Sequence, residues 1–311
     1  MKSFIFALCL VVPFCLNAQT NVWQPSPGHT QVAIWPGTPP DADLQHVTGP
    51  ESLSPSTGLV GGKSILVVRN VSQPTMTVYS PTGTNTGVAM VVFPGGGYQI
   101  LAMDLEGTEI CDWLTSHGIT AILLKYRVPL KETDPYSQPT PLALEDAQRT
   151  LGLVRSHAAE WHIDPHKIGV IGFSAGGHMV ADTSNHFDQR AYPPVDAADR
   201  ESCRPDFAIA CYPGHLWDGD AGVTKLNPNI SVTTNTPPTF IVMAEDDHVD
   251  HVEQALTYYI ALKKAGVPAE MHLYAQGGHG FGLRSTQAVA VWPQLVETWL
   301  RTIGMISPPG N

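Results

Sequence analysis

Charge is scarce in this chain, and positive charge scarcest: Asp, Glu, Lys and Arg make up 14% of 311 residues, with 17 Lys and Arg against 28 Asp and Glu. No basic cluster occurs along it, so the footprint needed to hold nucleic acid or an anionic membrane is missing. A small-molecule or uncharged carbohydrate substrate suits that balance better. Cysteine is sparse as well. Cys9 and Cys15 lie near the amino terminus, and Cys111, Cys203 and Cys211 make neither a CxxC pair nor a dense disulfide framework. A Cys203–Cys211 bridge is disfavoured because Cys211 sits inside a strand-like apolar run. After the amino terminus no stretch approaches the roughly 18 unbroken apolar residues of a membrane span. GxGxxG spacing and GKS or GKT are also missing, which argues against nucleotide binding.

What is present begins with MKSFIFALCLVVPFCLNAQT. Lys2, an apolar run from Phe4 to Leu16, and Asn17–Ala18 read as a secretory leader, residues 1–18, cleaved near Ala18. Its removal takes away Lys2 and shifts the formal charge from -11 to -12, leaving an exported, soluble protein as the expectation. Residues 19–62, rich in Pro, Gly, Ser and Thr, read as an irregular lead-in. Residues 63–306 read as one α/β domain.

Within that domain, apolar runs at Ile65, Val88, Ile119, Ile168, Phe207, Thr239 and Glu270 alternate with helical patterns. Several runs are nearly continuous, as in strands covered on both faces. A mainly parallel sheet of about eight strands with helices on both faces follows. One helical stripe carries Leu144, Ala147, Leu151, Val154, Ala158 and Trp161. A second carries Val252, Ala255, Leu256, Tyr259 and Ile260 and stops at Gly266, and a third carries Trp292, Leu295, Val296, Trp299, Leu300 and Ile303. Their aromatic residues are read as core. Three long polar connections, 129–141, 185–205 and 213–238, are candidates for a substrate rim.

The chemistry centres on IGVIGFSAGGHMVAD. Ser174 sits in a GxSxG pentapeptide directly after an apolar strand and before a run able to start a helix, the setting of a nucleophile elbow. Gly172 and Gly176 leave room for a tight turn there. A serine hydroxyl needs a base, and His279 stands in the glycine-rich QGGHGFGL after a strand. An imidazole needs an orienting carboxylate, and Asp246 and Asp247 follow TFIVMA; one of the two can instead cap the helix ahead of Val252. The order Ser174, Asp247, His279 is that of α/β-hydrolases. Gly95, Gly96 and Gly97 follow a strand and can turn bare N–H groups toward an ester oxygen, with the N–H of Ala175 as partner.

Together with WPGTPP, FPGGGYQILAMDLEG, LKYRVP, PPTFIVMAEDDHVDHVEQ and AGVPAEMHLYAQGGHGFGL, these segments resemble secreted α/β-hydrolase esterases related to acetylxylan and other carbohydrate esterases, some labelled as xylanases. The resemblance implies Ser174 as nucleophile, His279 as base and Asp247 as acid, with Gly96, Gly97 and Ala175 forming the oxyanion hole. It implies no cofactor and no metal. The family's usual DDxxVP-type segment selects the second aspartate, yet Asp250 and His251 stand where valine and proline are common, which keeps Asp246 as an alternative. Pro94 replaces the histidine of the His-Gly-Gly-Gly found in hormone-sensitive-lipase-like relatives.

Other residues receive plainer readings. His178, on the helix after Ser174, is read as packing or hydrogen-bonding behind the site. His248, His251 and Asp250 lack a strong ligand spacing. Asp146 and Arg149 are expected to pair on one helix, and Trp217 either stacks on a sugar or covers the core. The expected activity is hydrolysis of short acyl esters, acetyl foremost, on a carbohydrate. The rivals are a prolyl-oligopeptidase-like peptidase, a general carboxylesterase, a silent binding protein of this fold, and a true xylanase, for which no pair of facing carboxylates is evident.

Overall fold

A strand buried on both faces is built mainly of apolar residues, and five runs in this chain are of that kind. In the computed structural model, which describes residues 22–130, 141–219 and 224–307, the runs are fully buried strands of one sheet. The leader reading at 1–18, Cys9 and Cys15, and most of the 129–141 connection lie outside the described residues.

In chain order the strands are β1 (Gln31–Ala33), β2 (Ser52–Val60), β3 (Lys63–Arg69), β4 (Thr75–Tyr79), β5 (Ala89–Phe93), β6 (Leu101–Ala102), β7 (Thr120–Lys125), β8 (Ile168–Phe173), β9 (Ala208–Cys211), β10 (Thr239–Ala244) and β11 (Ala269–Tyr274). The helices are α1 (Glu109–Ser116), α2 (Pro141–Ser156), α3 (Ala175–Asn185), α4 (Glu253–Lys264) and α5 (Trp292–Thr302). Eight strands form the main sheet in the order β1-β4-β7-β5-β8-β9-β10-β11. It is parallel from β7 to β11, while β1, β4 and β7 pair antiparallel.

Helices cover both faces. Neighbouring strand residues point to opposite sides, and in β8 a Cβ on Gly172 would meet Gly176 and Val180 of α3, while Phe173 packs against Trp292 of α5. Trp113 of α1 meets Trp292 on that second side. The stripes read from the sequence are the inner faces of α2 and α5, but in α4 the buried face is Gln254, Ala255, Thr257, Tyr258 and Leu262, so of the expected stripe only Ala255 is fully buried and Val252, Leu256, Tyr259 and Ile260 are half-buried. Gly266, at φ 74°, ends α4 where a side chain would be strained.

Four further readings need correction. The lead-in is not irregular throughout: β1 and β2 lie inside it, and both escaped notice because edge strands need no alternation and tolerate Pro55 and the bulge between Pro55 and Leu59. The run at Ile65 is β3, which pairs with β2 and β6 in a separate three-stranded antiparallel sheet rather than joining the main one. Asp146 and Arg149 do not pair with each other. Their side chains diverge: Asp146 binds Arg127 and the indole N–H of Trp35, and Arg149 binds Asp196 and Asp199. Finally, the 185–205 connection runs from the end of α3 to the start of β9, where Asp206 bonds the N–H and C=O of Ile168 at the amino end of β8. A loop that follows a helix in this topology returns to the amino ends of the strands, away from Ser174.

Candidate active site

The carboxyl ends of β5, β8, β10 and β11 converge on one point. Between β8 and α3, Ser174 takes φ 54° and ψ -119°, a conformation a non-glycine residue adopts only when its surroundings enforce it. They do so by contact. A Cβ at Gly172 would lie 2.1 Å from the Gly176 carbonyl oxygen, and one at Gly176 would lie 2.1 Å from that of Phe93. The Ser174 N–H donates to the Cys211 carbonyl at 3.1 Å, and its own carbonyl accepts from His178 and Gly214. The strained turn is thus sewn into two strands and a helix.

His279 comes from the loop after β11. Its Nε2 lies 3.0 Å from Ser174 Oγ and its Nδ1 lies 2.7 Å from Asp247 Oδ2. Asp247 is buried in the turn after β10, and its other oxygen accepts the N–H groups of Val249 and Asp250 at 2.9 and 3.0 Å. A carboxylate fixed in this way demands a donor at Nδ1, which leaves the Nε2 lone pair for the serine hydroxyl. Asp246 is occupied elsewhere. Its Oδ1 accepts the N–H groups of Gly277 and Gly278 at 2.9 and 2.7 Å and so holds the histidine loop.

Burial lowers the affinity of His279 for a proton, but the hydrogen bond to Asp247 and the negative charges of Asp247, Asp250 and Glu106 outweigh it, so its pKa stands above the ordinary histidine value. His178 behaves oppositely: burial pushes it down to about 4, and its Nδ1 lies 2.7 Å from the Tyr98 hydroxyl. That neutral, enclosed ring supports the site from behind, as read from the sequence.

The glycine loop after β5 lies against the serine; a Cβ on Gly95 would come within 2.9 Å of Ser174 Cβ. Gly96, at φ 134°, has no room for a side chain, since its Cβ would meet the Ile100 carbonyl at 2.2 Å. Among the described residues no acceptor takes the N–H groups of Gly96, Gly97 or Ala175. Gly95 differs. Its N–H donates to the buried Glu106 at 2.8 Å and is spent inside the protein. Glu106, whose pKa burial raises, also accepts from the Tyr212 hydroxyl at 2.8 Å.

Two residues the sequence reading passed over belong to this site. Glu106 stands in a short π-helical turn, Asp104–Thr108, with no motif to mark it. Asp250 was noted as a departure from the usual pattern and as a weak ligand beside His248 and His251, yet its Oδ2 lies 3.2 Å from Ser174 Oγ and 3.8 Å from His279 Nε2. No sequence signal reports that contact, because it depends on how the turn after Asp247 folds back. Asp250 therefore faces the serine rather than a metal-like pair with His248 and His251, both of which are exposed. Trp217 is half-buried, and its N–H donates to Gln254. Cys111, Cys203 and Cys211 are buried free thiols.

Set against known proteins, residues 90–283 match a family profile described as alpha/beta hydrolase fold. The chain is similar to an acetylxylan esterase of Xylanibacter ruminicola, 30% identical over 220 residues, covering 63% of this chain and 42% of that protein. It is similar at the same identity to endo-1,4-beta-xylanase B of Butyrivibrio fibrisolvens, covering 65% of this chain and 34% of that one. It thus spans less than half the length of either relative. Among solved structures, an acetyl ester-xyloside bifunctional hydrolase from Caldicellulosiruptor lactoaceticus is 33% identical with a TM-score of 0.67, covering 89% of this chain and 97% of that one.

Proposed function

Since this chain belongs to the α/β-hydrolase-fold family, we propose that it is a serine esterase that removes short acyl groups, acetyl foremost, from oxygen-linked carbohydrate. The observation that carries this reading is the unbroken line from Ser174 through His279 to Asp247, at 3.0 and 2.7 Å, beside amides that have no acceptor among the described residues. Ser174 Oγ attacks the ester carbonyl while His279 Nε2 takes its proton, and Asp247 stabilises the imidazolium. Charge then develops on the former carbonyl oxygen, toward which Gly96, Gly97 and Ala175 can turn their N–H groups. Each well-aimed donor of this kind stabilises the intermediate by about 3–4 kcal/mol. His279 hands the proton to the departing alcohol oxygen. Water, deprotonated by the same imidazole, then frees the acid.

The carbohydrate part of the reading draws support from the names of the relatives, an acetylxylan esterase and an acetyl ester-xyloside hydrolase, and from the chain's own lack of charge. Export is supported by the apolar run from Phe4 to Leu16 behind Lys2. Among the described residues no helix is long and apolar enough to cross a membrane.

Ser174→Ala is expected to lower turnover of 4-nitrophenyl acetate by a factor of about 10⁴ to 10⁶ with an unchanged circular dichroism spectrum. Full activity after that substitution refutes the nucleophile. Acetylated xylo-oligosaccharides should release acetate without shortening, whereas chain shortening without acetate favours the xylanase alternative.

A further inference from the structure

We propose that Asp250 reads the alcohol half of the ester: its carboxylate accepts a hydrogen bond from a hydroxyl on the carbon next to the one carrying the scissile oxygen. The enzyme then favours acyl esters of vicinal diols, as found on sugar rings, over esters of simple alcohols. This rests on the esterase reading and adds to it a specificity-determining residue.

The first observation is position. In the second half of acylation His279 Nε2 must pass its proton to the alcohol oxygen, which therefore lies within hydrogen-bond reach of that nitrogen. Asp250 Oδ2 is 3.8 Å from the same nitrogen and 3.2 Å from Ser174 Oγ. The carboxylate consequently borders the space the alcohol must occupy, and a substituent one C–C bond from the alcohol oxygen comes to lie against it.

The second observation is restraint. The Asp250 N–H is bonded to Asp247 Oδ1, so the acid of the proton line also fixes the backbone of its neighbour. Behind the carboxylate stands Gly214, where a Cβ would come within 2.5 Å of Asp250 Oδ1. A side chain at 214 would push the carboxylate out of this position. The Asp250 side chain is 14% exposed, compared with none for Asp247.

The third observation concerns partners. Among the described residues the only hydrogen bond formed by the Asp250 side chain is the one it accepts from the Ser174 hydroxyl. One serine proton is thus shared between two acceptors, Asp250 and His279. Acylation removes that proton and leaves a largely enclosed carboxylate without its donor, a costly arrangement for a charged group. A vicinal hydroxyl supplies the missing donor at the moment it is lost. An alkyl or aryl leaving group presents only C–H or a negative ring face to the same carboxylate.

The test is a cycle of two proteins and two esters: the unmodified enzyme and Asp250→Val, each with trans-2-hydroxycyclohexyl acetate and cyclohexyl acetate. Intrinsic reactivity of the esters cancels when the ratio of their kcat/KM values is compared between proteins. The ratio of hydroxy ester to plain ester should be larger in the unmodified enzyme than in Asp250→Val by a factor of about ten or more, the worth of one hydrogen bond to a charged group. Equal ratios in the two proteins overturn the proposal. Should Asp250→Val fail to fold, the unmodified enzyme decides, since a ratio equal to that of hydroxide-catalysed hydrolysis also overturns it. If the unmodified enzyme cleaves neither ester nor 4-nitrophenyl acetate, the esterase reading itself has failed.

Discussion

At the scale of single residues, His279 is set by competing electrostatics. Burial alone would keep the imidazole neutral well into acid, but Asp247, Asp250 and Glu106 surround it with negative charge and raise its pKa. A base works only when unprotonated, so kcat/KM for 4-nitrophenyl acetate should rise with pH, with a midpoint above the ordinary value of about 6.5. Asp250→Val takes away one of the anions, and the acid limb should then shift to lower pH; an unmoved midpoint would show that Asp250 exerts no charge effect on the imidazole. The serine and the histidine were both visible in the sequence, because strand, tight turn and glycine context leave a local signature. The choice of Asp247 over Asp246 had no such local signature and came only from the family resemblance. Adjacent residues in a turn point in different directions, and only the folded turn sends one side chain to the imidazole and the other to the amides of Gly277 and Gly278.

At the scale of elements, the glycine loop after β5 depends on a turn that carries no motif. Glu106 holds the Gly95 N–H with one oxygen and the Tyr212 hydroxyl with the other, and Tyr212 in turn accepts the Gly282 N–H from the histidine loop. Glu106 is thus a positioning residue that links the two halves of the site. Glu106→Ala should lower kcat by about tenfold, a fraction of what losing an oxyanion donor outright costs, with a smaller change in KM. Glu106→Gln, which keeps an acceptor for Gly95, should recover most of the loss. A change in KM alone, or no recovery with glutamine, would contradict this role. Periodicity exposed the long elements α2, α4 and α5, although in α4 it set the apolar stripe beside the face that is buried. It missed α1, β1, β2, β4 and β6, because short or edge elements owe their form to neighbours rather than to a repeating pattern.

At the scale of the whole molecule, the leading segment is tied to the domain by buried charge. Arg127, fully enclosed after β7, bonds both oxygens of Asp146, Glu145 Oε2, and the carbonyls of Leu142 and Pro40. Burial pushes Glu145 up to about 7 even though Arg127 opposes it. Removing the guanidinium leaves two enclosed carboxylates unmatched, which typically costs about 3–5 kcal/mol. Arg127→Met should therefore lower the urea midpoint markedly with little change in the slope of the transition. A substituted protein as stable as the original would mean that water reaches the carboxylates. Arg284 plays a similar part across the site, joining Asp104 and Glu109 to the carbonyls of Lys63 and Ser64 and so fastening the small sheet beside the histidine loop.

Local sequence was enough to determine the parallel α/β core, the elbow around Ser174 and the glycine loops, since burial on two faces and tight turns restrict residue choice position by position. Tertiary structure alone decided that Asp246 turns away to the amides of Gly277 and Gly278, that Gly95 turns inward to Glu106, that the 185–205 connection lies at the far end of the sheet, and that Asp250 reaches the serine. Those outcomes depend on distances between segments far apart in the chain, and such distances leave no mark on composition or spacing.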